Sequence, residues 1–163
     1  MMTATMSEAI RATLVGMGQT AAGKAPVHFK TVLGSCIGLV LYHPRLKMGA
    51  MTHIVLPDSA ERGGAPGKFA DTAVPHMLQL LKGQGVPLHG LTAKYAGGAN
   101  MFGGTGPMKI GDANAEAVSR ALKIAGIRVI GQDVGGTKGR RVTFDCSTGV
   151  MIIENAGQPA RTL

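Results

Sequence analysis

VHFKTVLGSCIGLVLYHPRLKMGAMTHIVL, residues 27–56, contains the strongest pattern in the chain. Three runs rich in apolar and β-branched residues are separated by the turn signals Gly34-Ser35 and His43-Pro44. In the third run apolar and polar positions alternate, which places His53 on one face of a strand with Met51 and Val55. The pattern therefore predicts consecutive strands at residues 27–33, 37–42 and 49–56.

The rest of the chain predicts two helices and further strands. Apolar residues recur at helical spacing over residues 69–82, with Pro75 in or near the first turn of that helix. A second helix is predicted over residues 112–125, with Asp112 as its N-cap and Gly126 after its end. Additional strands are predicted at residues 12–17, 127–133, 141–146 and 150–154. Strands outnumber helices, so the expected fold class is α+β, a layered sheet core with flanking helices.

The composition is that of a globular chain of one domain. The 163 residues are 45% hydrophobic and 16% charged, with 25 glycines and no tryptophan. We expect a single domain over residues 1–163, with flexible tails at 1–10 and 156–163. No apolar run is long enough to span a bilayer, and two cysteines cannot build a disulfide scaffold. A cytoplasmic protein without membrane insertion is expected.

The net charge of +8 suggests an acidic partner. Lys138, Arg140 and Arg141 form the densest basic group, beside a glycine-rich turn. Proteins that bind single-stranded nucleic acid usually add stacking aromatics to a basic groove, and this chain has only two Tyr and four Phe. An acidic protein surface is therefore favoured over nucleic acid.

One motif-like feature argues weakly for a bound cofactor. Residues 18–24, GQTAAGK, match the start of a P-loop, but Ala25 stands where the magnesium-binding Ser or Thr is required. The following Pro26-Val27 predicts a strand instead of the helix whose N-terminus would bind phosphate. The five histidines show no metal-ligand spacing. We expect neither a cofactor nor a metal.

Cys36 is the residue best placed for chemistry. It follows the Gly34-Ser35 turn between two predicted strands, where a thiol can be accessible and backbone N–H groups can remain unpaired. If the strand from residue 37 folds back against the strand from residue 49, His53 comes near Cys36 and can activate it. The alternative is that Cys36 is a small buried hydrophobic residue, which is how we interpret Cys146.

Six segments of the chain resemble the CheD family of bacterial chemoreceptor glutamine deamidases. The cysteine of GSC and the histidine of GAMTHIVLP are characteristic of this family when both occur at this spacing. The segments are TVLGSCIGLVLYHP (31–44), GAMTHIVLPDS (49–59), PGKFADTAV (66–74), AKYAGGANMF (93–102), NAEAV (114–118) and DVGGTKGRRVTFDCSTG (133–149).

The resemblance implies a cysteine-dependent enzyme that converts receptor glutamines to glutamate and releases ammonia. It implies Cys36 and His53 as catalytic residues and Thr31 as the third member, with Gly34 and Ser35 forming the oxyanion-binding turn. It also implies a fold similar to toxin-type glutamine deamidases. The implied partners are the cytoplasmic helices of chemoreceptors and a CheC-type phosphatase. Phe102 is either a contact for these partners or a core aromatic.

Three other functions remain open at this point. The chain could be a non-catalytic chemotaxis module that regulates CheC or receptors. It could be a receptor methylesterase, because ester and amide carbonyls are close chemical relatives. Nucleotide binding through residues 18–24 is the third and weakest alternative.

Overall fold

The computed structural model describes residues 11–101 and 109–163, which form ten strands, two α-helices and one 3₁₀ turn. The strands are β1 Arg11–Leu14, β2 Thr20–Lys24, β3 Val27–Leu33, β4 Ile37–His43, β5 Met48–Ile54, β6 Thr92–Gly97, β7 Arg128–Val134, β8 Arg140–Asp145, β9 Val150–Glu154 and β10 Arg161–Thr162; the helices are α1 Ala70–Gly83 and α2 Ile110–Ala125, with the 3₁₀ turn at Pro66–Lys68.

The strands form two five-stranded mixed sheets. The first sheet has the order β2-β5-β4-β6-β7, with β4 antiparallel to both β5 and β6. The second has the order β1-β3-β8-β9-β10, with β3 antiparallel to β8 and parallel to β1. Consecutive strands β3 and β4 therefore belong to different sheets, and the turn that joins them crosses between the two.

The core consists of two apolar layers on either side of the first sheet. Strand β4 is buried at every position because it is covered on both faces. Leu39 and Leu41 pack toward α1 and α2, whereas Val40 and Tyr42 pack against Phe144 and other residues of the second sheet. The order of layers is helices, first sheet, second sheet, which confirms the predicted α+β class with flanking helices.

The three strands predicted from residues 27–56 are confirmed, and β4 and β5 form the expected antiparallel pair. Alternation in β5 is also as predicted, because Ala50 and Ile54 face the helices while Met51 faces the second sheet. Three strands were missed. Strands β2, β6 and β10 lack the runs of β-branched residues that make a strand visible in sequence, and their positions come from pairing with β5, β4 and β9.

Both helices are confirmed, with corrections at their N-terminal ends. Asp112 is not the N-cap of α2, since the helix begins at Ile110 and Lys109 is its N-cap. Asp112 lies in the first turn, where its carboxylate accepts a hydrogen bond of 2.9 Å from the side-chain amide of Asn100. Pro75 lies in the second turn of α1, inside the helix. Gly126 ends α2 in the left-handed conformation, as predicted.

The tails are only partly described. Residues 1–10 lie outside the described residues, and Arg161–Thr162 pairs with β9. In the two described ranges, no helix is long and apolar enough to cross a membrane.

Candidate active site

Cys36 is the last residue of the turn that joins the two sheets. Its side chain is 8% exposed and packs in the apolar layer between the sheets. Two residues further on, Gly38 pairs directly with His53 across β4 and β5. Cys36 and His53 are therefore diagonal neighbours on one face, where Cβ atoms are typically about 7–8 Å apart.

Gly38 keeps the space beside His53 open. A Cβ atom at this position would lie 3.2 Å from the methyl group of Thr31 and 3.2 Å from a methyl group of Leu33. Such contacts are tighter than most in protein cores, so a side chain here would push Thr31 aside by a few tenths of an ångström. Because the β4 residue opposite His53 is a glycine, no β4 side chain lies between the thiol of Cys36 and the imidazole of His53.

His53 is held by Thr31, which reaches it from the second sheet. Thr31 Oγ1 lies 2.8 Å from His53 Nδ1 and 2.7 Å from the carbonyl oxygen of Val15. A carbonyl can only accept, so the Thr31 hydroxyl donates to Val15 and accepts from the Nδ1–H of His53. Neutral His53 then has its lone pair on Nε2, the nitrogen required for a general base.

The backbone of His53 is fixed by the segment that resembles a P-loop. Gly18 N–H donates to the His53 carbonyl at 2.8 Å, and His53 N–H donates to the Gln19 carbonyl at 3.1 Å. Thr20–Lys24 continues from there as strand β2, paired with β5. The segment thus has strand geometry and a structural part in placing His53, without the helix N-terminus of a phosphate-binding loop.

His53 Nε2 is buried and has no hydrogen-bond partner among the described residues. The Cys36 thiol is therefore not hydrogen-bonded to it in this state. Catalytic hydrogen bonds are often long in unliganded enzymes and shorten when substrate binds. An unpaired imidazole nitrogen on the same face as the thiol is suited to accept the thiol proton during attack.

Burial favours the neutral forms of both groups. Desolvation raises the pKa of the Cys36 thiol above its ordinary value of 9.0. Desolvation also lowers the pKa of His53 below 6.5, and the Val15 carbonyl opposes this shift only in part. Near neutral pH the resting pair is a thiol and a neutral imidazole, and not a thiolate–imidazolium ion pair.

These shifts predict how alkylation of Cys36 depends on pH. Because the thiolate is the reactive form and its pKa is raised, the rate with iodoacetamide should increase mainly above pH 9.0. The rate is followed by mapping the alkylated peptide, so that Cys146 is counted separately. A rate that is already maximal below pH 6.5 would show an ion pair and contradict this assignment.

The carbonyls of the turn before β4 are held by hydrogen bonds, whereas two of its N–H groups have no partner among the described residues. The Gly34 carbonyl accepts from Ala99 N–H at 3.0 Å, and the Cys36 carbonyl accepts from Gly98 N–H at 2.9 Å. The N–H groups of Ser35 and Cys36 donate no hydrogen bond to any described residue. Such N–H groups beside a nucleophile can stabilise a developing oxyanion.

Two interacting residues were missed from sequence, Val15 and Asn114. Val15 acts through its backbone, which no sequence pattern reveals. Asn114 donates through Nδ2 to the carbonyls of Ser35 and Val55, both at 2.9 Å. A signal existed, because Asn114 is a polar residue on the apolar face of a helix whose neighbours Ala117 and Val118 are buried.

The other predicted positions lie away from Cys36, His53 and Thr31, or outside the residues that the structure describes. Cys146 is fully buried between the sheets, where burial and the nearby Asp145 raise its pKa to about 12. Phe102 lies outside the described residues, so its proposed contact role stays a prediction. Across residues 11–101 and 109–163, no group of three or more His, Cys, Asp or Glu side chains is arranged to hold a metal ion.

A thiol, an imidazole and a hydroxyl bonded to that imidazole are the residue types that acyl-transfer hydrolases use. Comparison with known proteins identifies the family. The family described as CheD chemotactic sensory transduction matches residues 55–155. The chain belongs to this family.

Curated relatives extend the similarity across the candidate site. The chemoreceptor glutamine deamidase CheD of Thermotoga maritima is 41% identical over 145 residues, which cover 88% of this chain and 92% of that protein. A probable chemoreceptor glutamine deamidase CheD of Desulforamulus reducens is 39% identical over 155 residues, 91% of this chain and 93% of its own length. One from Methanococcus vannielii is 40% identical over 146 residues, with 88% and 95% covered.

Proposed function

We propose that this chain is a chemoreceptor glutamine deamidase that hydrolyses selected glutamine side chains of receptors to glutamate, with Cys36 as the nucleophile. Membership in the CheD family and the names of its relatives support the glutamine substrate. The observation that carries the mechanism is the hydrogen bond between Thr31 and His53, which leaves His53 Nε2 unpaired on the face shared with Cys36.

In the first half-reaction Cys36 Sγ attacks the side-chain amide carbon of a receptor glutamine. His53 Nε2 takes the thiol proton as the sulfur–carbon bond forms, because the resting thiol is neutral. The carbonyl oxygen becomes an oxyanion beside the N–H groups of Ser35 and Cys36. Collapse of this intermediate breaks the carbon–nitrogen bond, and the proton on His53 passes to the leaving ammonia.

In the second half-reaction water cleaves the thioester. His53 Nε2 removes a proton from the water as its oxygen bonds to the carbonyl carbon. Collapse of the second oxyanion breaks the carbon–sulfur bond, and His53 returns the proton to the Cys36 sulfur. The net change is one water consumed, one ammonia released and one glutamine converted to glutamate.

Thr31 orients the base in this scheme. Its hydroxyl is fixed by the Val15 carbonyl and accepts the Nδ1–H of His53, which sets the tautomer that exposes the Nε2 lone pair. The pKa of His53 stays below its ordinary value because burial disfavours the imidazolium, and Thr31 contributes no opposing negative charge.

Replacing Thr31 with valine should reduce the deamidation rate by about 10–100-fold, since the imidazole loses its orienting acceptor while the shape is kept. Thr31→Ser retains the hydroxyl and should restore most of the rate. The rate is measured as ammonia released from a receptor cytoplasmic fragment. Equal rates for the valine and serine variants would show that the hydroxyl has no such role.

We also propose two partners that agree with the charge and the family. The net charge of +8 should speed association with an acidic receptor surface, and salt should weaken this effect. A CheC-type phosphatase is the second proposed partner, on the basis of the family resemblance and the GGANMF segment (97–102). Within that segment Met101 is half-exposed beside Gly34.

The proposed function is tested with two forms of one receptor cytoplasmic fragment, carrying either glutamines or glutamate methyl esters. We expect mass spectrometry to show conversion of specific glutamines to glutamate, with little release of methanol from the esters. Preferential ester hydrolysis would make the protein a methylesterase. Binding of both forms without conversion of either would make it a regulatory module.

A further inference from the structure

Asn114 connects the two segments that supply Cys36 and His53. It is fully buried in α2, and its Nδ2 donates to the Ser35 carbonyl and to the Val55 carbonyl, each at 2.9 Å. Ser35 directly precedes the thiol residue, and Val55 follows His53 by two positions. A single side-chain amide thus holds both ends of the cluster against the same helix.

Asn114 is a buried polar residue whose amide oxygen is left unpaired within the described residues. Its Oδ1 is buried and has no partner among the described residues. A buried polar atom left unpaired typically costs about 1–3 kcal/mol. Apolar residues occupy most of the neighbouring buried positions of α2, including Val118 and Leu122. An asparagine at this apolar position is explained by the two backbone carbonyls to which it donates.

The hydrogen bond to Ser35 determines where the next N–H points. The peptide bond between Ser35 and Cys36 is trans, so its C=O and N–H point in opposite directions. With the carbonyl directed to α2, the Cys36 N–H points away from the helices, toward the layer that contains the Cys36 side chain. This N–H donates to no described residue.

The peptide units on either side of Ser35–Cys36 are held by backbone hydrogen bonds. The Gly34 carbonyl is held by Ala99 and the Cys36 carbonyl by Gly98, so the peptide units on both sides are fixed. Gly97 lies so close that a Cβ there would overlap the Cys36 carbonyl oxygen. The Ser35 carbonyl is the one member of the turn that depends on a side chain for its hydrogen bond.

We propose that Asn114 is a positioning residue that orients the Ser35–Cys36 peptide so that the Cys36 N–H can bind the oxyanion. Without Asn114 the peptide can rotate about its flanking bonds and turn its carbonyl toward the substrate. The proposal rests on the deamidase function proposed above and adds a residue that acts on the transition state without touching the substrate.

The test compares Asn114→Leu with Asn155→Leu. Asn155 is a matched control because its Nδ2 also donates to a backbone carbonyl, that of Gly139, at 2.7 Å on the second sheet. We expect Asn114→Leu to lower kcat for receptor deamidation by about 10²–10³-fold, the usual loss for one oxyanion donor, with KM unchanged. Asn155→Leu should keep the wild-type kcat.

Alkylation of Cys36 separates positioning from a general structural role. Iodoacetamide reacts with the thiolate by displacement and forms no oxyanion, so the alkylation rate at alkaline pH should be the same in Asn114→Leu and wild type. Asn114→Ala, which removes the donor by deleting the amide, serves as the second variant and should show the same separation of the two rates.

Three results would overturn the proposal. Wild-type kcat in both Asn114 variants would show that the peptide needs no such anchor. Parallel losses of deamidation and alkylation would show that Asn114 only maintains the fold around Cys36. A wild-type protein that binds receptor but deamidates nothing would overturn the proposed function itself. This outcome is distinguishable from the other two because it is seen without any variant.

Discussion

Replacing Cys36 with alanine is expected to reduce receptor deamidation by at least about 10⁴-fold, because removing the nucleophile of a catalytic triad eliminates nearly all of its chemistry. Stability should hardly change. The side chain is 8% exposed and loses a single sulfur atom, which typically costs about 1 kcal/mol of unfolding free energy. The measurements are ammonia release from a receptor fragment and thermal unfolding of both proteins.

Cys146→Ala is the matched control for this change. It removes the same atom from a thiol that is fully buried and whose pKa is raised to about 12. We expect wild-type activity with a small loss of stability. If Cys146→Ala is inactive and Cys36→Ala is active, the nucleophile has been assigned to the wrong cysteine.

Replacing His53 with glutamine is expected to lower the deamidation rate by about 10²–10⁴-fold, the usual contribution of a general base. Glutamine can still bond to Thr31 but cannot take the thiol proton or protonate the leaving ammonia. Binding of the receptor fragment should be unchanged, since His53 is 4% exposed and lies beneath the surface. The readouts are kcat for ammonia release and the dissociation constant of the fragment.

His43→Gln provides the control for loss of a buried histidine. His43 is also buried, lies at the far end of β4, and accepts a hydrogen bond from Leu46 N–H at 3.3 Å. This variant should deamidate at the wild-type rate. Equal losses in the His43 and His53 variants would mean that the effect comes from general destabilisation and not from the base.

The pairing that brings Cys36 near His53 could be predicted because it depends on local patterns. Residues 37–42 form an apolar run and residues 49–56 alternate, and a short connection makes antiparallel neighbours the natural result. The observed register, with Gly38 opposite His53, follows from that pairing. Alternation is also a local pattern, and that of β5 correctly placed His53 on the face with Met51.

The contacts made by Thr31 and Asn114 could not be predicted from such patterns. Thr31 meets His53 because two different sheets pack face to face, and their relative position depends on the whole core between them. Asn114 reaches Ser35 from a helix 79 residues further along the chain. Periodicity places a residue on a face of its own element but does not state which residue of another element it will meet.

Strand β2 shows how a motif can mislead when its context is missing. GQTAAGK has the letters of a phosphate-binding loop, yet every residue of Thr20–Lys24 pairs with β5, over residues 48–52. Small residues such as Ala21 and Ala22 have weak strand propensity, so the pairing is set by the partner strand. The missing hydroxyl at Ala25 and the strand after Pro26 were the correct signals against the motif.

The most direct test of the account is site-resolved mass spectrometry of a receptor cytoplasmic fragment after incubation with wild type, Cys36→Ala or His53→Ala. The account predicts that wild type converts particular glutamines to glutamate, while both variants, shown to be folded, leave the fragment unchanged. If wild type and Cys36→Ala bind the fragment equally and neither converts a glutamine, the deamidase account is contradicted and Cys36 is a core residue of a binding protein.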